Sequence, residues 1–507
     1  MPVLHDDDVT ETARHQTYTH TQTGTGTRGR RVSTMPKARP AGKRAGSSAS
    51  PRSANMAARV DPAARETRAP DMQERPTPAR AKDGAPALQR QVPVRRYVSR
   101  ITRHTLAVIM AGGRGERLKH LTDHRCKPAT PFGGKFRIID FVLSNCVNSG
   151  IRRISIMTQY KAHSLVQHIQ RGWGYLRGEF DEFVEVIPAQ QQMGNFWYRG
   201  TADSLYQNLQ IIRLHHPRHV LVLAGDHIYK MDYGPMLASH VEKRADITVG
   251  VVEVPREQAT AFGVMSVDTD YRITKFSEKP REPEGIPGRE QFALGSMGIY
   301  VFKANLLYRL LEEDAKRSDT NHDFGRNIIP AALGSLKVFA YPFTDSNTRV
   351  QHYWRDVGTV DAFYEANMEL IHADPELNIY DEQWPIWTYQ RQYPPAKFVL
   401  DEDGRRGMAV NSMVSGGCII SGAHVNQSLL FSNVRIEERS YLERAVIFPD
   451  VRIGAGSIIK RAIVDTGAAV PPDTLIGVDP AEDARRFYIS ENGVALVTRD
   501  MAARLRK

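Results

Sequence analysis

From about residue 103 to 360 the chain alternates short apolar runs with segments whose apolar residues recur every three or four positions. "LAVIM" (106–110), "RISIMTQY" (153–160), "HVLVLAGDH" (219–227), "ITVGVVEV" (247–254) and "GSMGIYVF" (295–302) have the length and composition of strands. Between them, "SLVQHIQRG" (164–172), "ADSLYQNLQII" (202–212) and "LLYRLLEED" (306–314) read as helices. In the second of these, Ala202, Leu205, Tyr206, Leu209 and Ile212 fall on one face at helical spacing. Strands alternating with helices predict an α/β domain built on a doubly wound, mostly parallel sheet.

After about residue 405 the period shortens. Small apolar residues recur every six positions, in the series Ile436, Leu442, Phe448, then Ile447, Ile453, Ile459, then Ile458, Val464, Val470, Ile476. A hexad period with Gly and Asn between predicts a β-helix whose short strands stack coil on coil. The expected organisation is a basic extension over 1–100, a catalytic domain over 101–362, a connector over 363–405 and a β-helix domain over 406–507.

The net charge of +11 on 507 residues suggests a nucleic-acid partner until it is mapped. Residues 1–100 hold 19 Lys or Arg against 9 Asp or Glu, whereas the rest hold 49 against 48. The leading segment is rich in Arg, Ala, Ser, Pro and Gly without apolar periodicity, a composition that cannot offset chain entropy. A transit peptide fits its Arg and Ser content but not Asp6-Asp7-Asp8. The expectation is a solvated tail, including the option of a start upstream of Met35, Met56 or Met72, with no nucleic-acid role. No apolar run approaches membrane-spanning length, and no secretory segment is present. Cys126, Cys146 and Cys418 form neither a CxxC pair nor a disulfide framework, which predicts buried thiols and a cytoplasmic setting.

In a doubly wound sheet, ligands bind just beyond the carboxyl ends of strands. The first such place is Ala111-Gly112-Gly113-Arg114-Gly115, with Arg117, Arg125 and Lys127 close behind. Glycine N–H groups followed by positive charge suit a phosphate. The loop lacks the GxxxxGK[ST] of a P-loop and the third glycine of a dinucleotide fingerprint. A second place is "VLVLAGDHIYKMDY", where Asp226 follows an apolar run. A third is "YWRDVGT", which supplies Asp356 from far along the chain. Two carboxylates converging there would hold Mg²⁺, a hard cation that favours carboxylates and substrate phosphates. In "KFSEKP", Glu278 and Lys279 close a short strand; Lys suits a phosphate and Glu a sugar hydroxyl. Trp197 and Tyr198 read as a sugar platform or as core, tilting to the platform. His215, His216 and His219 have no metal-binding partners in their pattern and read as a solvated helix end.

The loop continues as Gly112-Gly113-x-Gly115-x-Arg117-Leu118-x-x-Leu121-Thr122, then Lys127-Pro128-x-x-Pro131. About ten specified positions make this pattern far more specific than a lone glycine turn, and it resembles the signature of the sugar-phosphate nucleotidyltransferases. With "GGKFRIIDF", "SNCVNSGIRRI", "YRGTADSLYQN", "AGDHIYKMDY", "AFGVM", "FSEKP", "HDFG" and "YWRDVGT", residues 103–500 resemble the bacterial ADP-glucose pyrophosphorylases. The resemblance implies a nucleotidyltransferase domain followed by a left-handed β-helix, a homotetramer, ATP and glucose 1-phosphate as substrates, and a product that feeds glycogen synthesis. It further implies that Gly112, Gly113, Arg114, Gly115 and Arg117 cradle the ATP phosphates and that Asp226 and Asp356 hold Mg²⁺. Glu278, Lys279, Tyr198, Gly263 and Ser296 would line the glucose 1-phosphate pocket. Arg125, Lys127 and Arg137 match positions used around the nucleotide or its allosteric effectors, and Lys460 and Arg461 are added as effector candidates in the hexad region.

Enteric members of that family carry Lys where this chain has His124, His where it has Pro131, and a second Arg where it has Leu214. Each difference removes or weakens a positive charge. Loss of one charge-assisted phosphate contact costs about 1.5–3 kcal/mol, or about one to two powers of ten in affinity. Fructose 1,6-bisphosphate and AMP are therefore expected to act weakly, with another glycolytic intermediate as main activator. Initial rates titrated against fructose 1,6-bisphosphate, fructose 6-phosphate, pyruvate and AMP check this, and strong micromolar activation by the bisphosphate would contradict it.

Overall fold

A computed structural model describes residues 94–190, 197–344, 350–402 and 404–505. The expected tail over 1–93 lies outside the described residues. The described chain opens with a helix, Val94–Arg103, so residues 94–100 do not belong to an unstructured extension. Val94, Val98 and Ile101 stand at i, i+4 and i+7, a stripe that three intervening arginines and a net basic composition obscured.

Among the described residues, nine strands form the main sheet of the first domain. Thr105–Met110 lies at its centre, parallel to Arg153–Thr158 on one side and to His219–Ala224 on the other. Phe183–Pro188 extends the parallel half. The long strand Phe292–Lys303 then runs antiparallel to His219–Ala224 and to Ile247–Pro255, and Gly263–Val267 with Ile273–Glu278 forms an antiparallel flap beside it. The parallel core matches the sequence pattern, and the antiparallel flank was not visible in it. Strands buried on both faces show no polar alternation. Leu106 and Val108 pack into one apolar cluster and Ala107 and Ile109 into the other, all fully buried.

Two boundaries differ from expectation for local reasons. The second strand stops at Thr158, because Gln159 and Tyr160 turn into the cleft described below. The helix expected over 202–212 breaks at Asn208, whose amide donates to Ser204 O and to the Tyr198 hydroxyl, both at 2.8 Å. The anticipated apolar stripe survives the break, with Ala202, Leu205, Leu209 and Ile212 buried.

From Lys397 onward short parallel strands stack into a β-helix. Arg435 pairs with Arg452 and then Ala469; Tyr441 pairs with Ile458 and then Leu475. Each coil is thus about 17 residues, one short of three hexads. That one-residue slip per turn explains why the sequence shows three offset hexad series rather than one. Ile436, Ile453 and Val470 line one internal ladder, and Leu442, Ile459 and Ile476 another.

A single apolar cluster joins the β-helix to the first domain. Phe132, Phe141, Phe363 and Tyr364 pack with Phe431, Phe448, Ile463 and Leu496. The helix Val360–Glu369, which spans the expected boundary at 362, lies in this seam. Phe363 meets Phe448 edge-on at 6.0 Å, and the Tyr364 hydroxyl donates to Arg444 O at 2.6 Å.

The expected solvated histidines divide. His216 is exposed, His215 packs on Phe183 and lies 3.1 Å from Glu185, and His219 begins a central strand. Its ring meets that of buried His240 edge-on at 5.3 Å, and His240 Nδ1 lies 2.8 Å from Thr248 Oγ1. Burial pushes His219 down to about 4, with Arg218 and Lys303 adding to it. Burial, then His219 and Lys303, pushes His240 down to about 3. Both folded-state values lie below the unfolded value near 6.5. Their contribution to stability is full above pH ~6.5 and is lost as pH falls from there toward 4 and below. Replacing His240 with Asn, which can still meet Thr248, is expected to flatten the fall in Tm between pH 6.5 and 4. Thermal unfolding at pH 7, 5.5 and 4.5 checks this; parallel curves for both proteins would contradict it.

Candidate active site

A cleft of about 630 Å³ opens beyond the carboxyl ends of the three central parallel strands. Each strand delivers one part of its wall: Gly112–Arg117 after the first, Gln159 and Tyr160 after the second, and Asp226 after the third. The glycine loop can turn this tightly because Gly115 is left-handed, with φ +69°, and leads straight into a 3-10 turn. A side chain at Gly115 would also press on Lys127 Cβ and Thr122, each about 3.1 Å from the position its Cβ would take.

Lys127 lies almost wholly buried at the base of the cleft. Its ammonium donates to Asp226 Oδ2 at 3.0 Å and to Asp356 Oδ1 at 2.8 Å. Asp356 comes in on the two-stranded ribbon formed by Trp354–Asp356 and His227–Tyr229, in which it pairs directly with His227. Burial alone would raise both carboxyls, but the Lys127 charge, with His227, holds each below the usual carboxylate range. Burial likewise disfavours charge on Lys127, and the two carboxylates overcome it and raise its pKa. Arg117 donates to Asp356 Oδ2 at 3.3 Å from the rim. Gly358 leaves room for this pair: a Cβ there would sit 2.6 Å from Arg117 Nη2 and 2.9 Å from Asp356 Oδ2, and the Arg117 guanidinium would have to shift.

Ligand atoms of Asp226, His227 and Asp356 lie within 4.8 Å of one another, so these three residues could hold a metal ion. His227 Nδ1 is buried without a partner, and the ring meets Trp354 edge-on at 5.1 Å. Oxygen donors predominate, which fits a hard divalent cation.

The rim carries a cationic and aromatic group. Arg114 is exposed, stands 4.8 Å from the centre of the Tyr160 ring and donates to its hydroxyl at 3.4 Å. That hydrogen bond lowers the Tyr160 pKa. Trp197 stacks on Tyr160 at 6.2 Å. Tyr198 lines the cleft, its backbone N–H donating to Gln159 Oε1 at 3.0 Å, and burial raises its phenol pKa.

Gly263, Glu278, Lys279 and Ser296 form a neighbouring wall rather than the cleft itself. Gly263 pairs across the antiparallel flap with Glu278, and a Cβ on Gly263 would come within 2.7 Å of Glu278 Oε2. Glu278 is partly buried; burial raises its pKa, and Asp323, which lines the cleft, raises it further. Lys279 follows in the left-handed region, φ +49°, with its ammonium partly exposed and 4.0 Å from Glu278. Ser296 lies at a register shift in the long strand, where Gly298 takes φ +68°. Such a bulge re-aims the side chain beside it.

Besides Arg114 and Arg117 of the glycine loop, the basic candidates are Arg125, Lys127, Arg137, Lys460 and Arg461, and of these five Lys127 alone lines the cleft. The Arg125 guanidinium donates to Asp465 of the β-helix, at 2.8 and 3.2 Å. Arg137 donates to Ser164 O at 3.0 Å. Lys460 pairs with Glu443 at 3.3 Å and Arg461 with Glu365 at 3.6 Å. Sequence reasoning missed the bridging role of Lys127 and the parts played by His227, Gln159, Tyr160 and Asp323. His227 follows Asp226 directly, and Asp323 sits in the quoted "HDFG", so both lay within noticed motifs. Gln159 and Tyr160 had been assigned to the strand.

Residues 106–373 match the family model described as nucleotidyl transferase, and residues 394–497 match the GlmU-like C-terminal hexapeptide, which goes with a left-handed β-helix. The chain is 63% identical over 407 residues to glucose-1-phosphate adenylyltransferase 1 of Alkalilimnicola ehrlichii, covering 80% of this chain and 96% of that protein. It is 60% identical over 409 residues to glucose-1-phosphate adenylyltransferase 2 of the same organism, with 81% and 97% covered. Against the glucose-1-phosphate adenylyltransferase of Nitrosococcus oceani it is 61% identical over 407 residues, with 80% and 96% covered.

Proposed function

The chain belongs to the glucose-1-phosphate adenylyltransferases, and from that premise we propose how its cleft performs the reaction. It transfers the adenylyl group of ATP to α-D-glucose 1-phosphate, giving ADP-glucose and pyrophosphate for glycogen synthesis. The observation that supports the mechanism is the convergence of the glycine loop, Lys127 and Asp226 on one volume, with Asp356 bound to Lys127 at its base.

A phosphate oxygen of glucose 1-phosphate attacks the α-phosphorus of ATP. The new P–O bond forms as the bond from the α-phosphorus to the pyrophosphate oxygen breaks. A phosphate monoester has a second pKa near about 6, so the nucleophile is already mostly dianionic at neutral pH and needs no general base. The obstacle is repulsion between two anions and charge growing on the leaving group. Gly112, Gly113 and Gly115 offer N–H groups to the ATP phosphates, and Arg114 and Arg117 bring positive charge from the rim. Arg114 would leave Tyr160 to do so. Asp226 and Asp356, with His227 as a third donor, would hold Mg²⁺, which supplies charge neutralisation at the phosphates. Lys127 keeps the two carboxylates together and ionised. Lys279 faces the sugar phosphate, Glu278 accepts from sugar hydroxyls, and Tyr198, Gly263 and Ser296 shape that side of the pocket. The remaining expectations, a homotetramer in the cytoplasm controlled by an allosteric small-molecule effector, stand as part of the same proposal.

Pyrophosphate release is expected with ATP and glucose 1-phosphate together and not with either alone. Assays with ATP, UTP and dTTP check both the reaction and the base; equal rates with UTP would contradict the adenylyl assignment.

Two substitutions separate the halves of the site. Asp226→Asn keeps the shape but loses the charge, and is expected to lower kcat by about 100-fold or more with little change in Tm. Lys279→Ala is expected to raise the KM for glucose 1-phosphate about tenfold to a hundredfold, as for loss of a charge-assisted contact, and to leave the KM for ATP within about twofold. Steady-state kinetics on both variants checks this, and an equal loss for both substrates in Lys279→Ala would make that lysine structural.

A further inference from the structure

The β-helix presents an aromatic ladder to the catalytic domain, and one rung of it is charged. Leu430, Ile447 and Val464 stack on successive coils. The residues that follow them are Phe431, Phe448 and Asp465. Phe448 N–H donates to Val464 O and Asp465 N–H to Val497 O, the same backbone position one turn on. Phe431 and Phe448 pack on each other at 5.1 Å and belong to the apolar seam with the catalytic domain. Asp465 takes the next rung, only 5% exposed, and is met by Arg125 in a two-pronged pair. The Arg125 side chain is 13% exposed. A buried ion pair in this place is weak evidence for stability, because apolar residues of similar volume would serve as well or better. Its location offers another reason.

Arg125 is two residues before Lys127. Between them Cys126 is buried, and the chain then makes a single 3-10 turn, Lys127–Ala129. Little slack separates the guanidinium held by Asp465 from the ammonium that bridges Asp226 and Asp356. The planar fork of Arg on a carboxylate specifies direction as well as distance. We propose that Arg125 and Asp465 are positioning residues: through this pair the β-helix sets the reach of Lys127 into the catalytic cleft. The role assigned to Lys127 is the one given under the proposed function, and the inference rests on that reading.

The decisive variant is the full-length double substitution Arg125→Met with Asp465→Leu. Replacing both partners with apolar residues of similar volume is expected to leave Tm unchanged or raised. Catalysis should still suffer, because misplacing a reacting group by about 1 Å can cost about a hundredfold. The expected result is a kcat at least about tenfold lower, measured well below Tm, with the KM for glucose 1-phosphate within about twofold. A folded double variant with wild-type kcat overturns the inference. Should the double variant not fold, Asp465→Asn replaces it, read by hydrogen exchange as well as kinetics. Faster exchange confined to residues 123–130, together with the fall in kcat, supports the link; unchanged exchange there overturns it. Lys127→Met tests the underlying reading separately. Loss of turnover in Lys127→Met beside normal turnover in the double variant refutes the link alone, whereas normal turnover in Lys127→Met refutes the reading of the lysine.

Discussion

Two carboxylates whose ligand atoms lie within 4.8 Å of each other repel by about 3 kcal/mol at an effective dielectric near 20. Asp226 and Asp356 are held in that position by Lys127, which is 99 and 229 positions away along the chain. Remove the ammonium and the two like charges face each other without a counter-charge, which favours a proton on one carboxyl. Both carboxylates, the glycine loop above them and Arg117 at the rim are organised around that one buried cation. The arrangement also explains the local demands on the backbone. Gly115 turns left-handed against Lys127, and Gly358 leaves room for Arg117 and Asp356.

The same cation connects the two domains. The segment that carries Lys127 is pinned by Arg125 to a β-helix residue, in a seam otherwise closed by aromatic packing. Phe363 on Phe448 and Tyr364 on Arg444 O supply adhesion without direction. The guanidinium–carboxylate fork supplies direction, since its geometry tolerates little rotation. A β-helix is well suited to this task, because every coil is bonded to the next and the stack resists bending. The catalytic sheet brings its own rigid edge, the parallel strands that end at the cleft.

The reaction needs no proton shuttle, and the site is built accordingly. The titratable groups at its base are held in their charged forms by each other. The histidines that looked most prominent in the sequence stand away from the chemistry: His219 is packed against His240 in the core and kept neutral by burial. Among the described histidines, it is His227, which drew no notice beside Asp226, that reaches the carboxylates.

Much of this protein was legible in the linear chain because it depends on local periodicity. Strand–helix alternation, the hexad repeat, the glycine turn and carboxylates placed just after strands are properties of short segments, and they led to the fold class and to the residues of the cleft. What stayed hidden depends on distance in space. The antiparallel flank of the sheet, the break at Asn208 and the Glu278–Asp323 neighbourhood are consequences of packing between segments far apart. Arg125 and Lys127 show the limit most clearly. Both read as basic residues awaiting a phosphate, because a sequence displays a charge but not its partner. Only the tertiary structure decided that one is answered by Asp465 across a domain seam and the other by the carboxylates of Asp226 and Asp356. Charge pairing is a matter of proximity, and proximity is what folding alone creates.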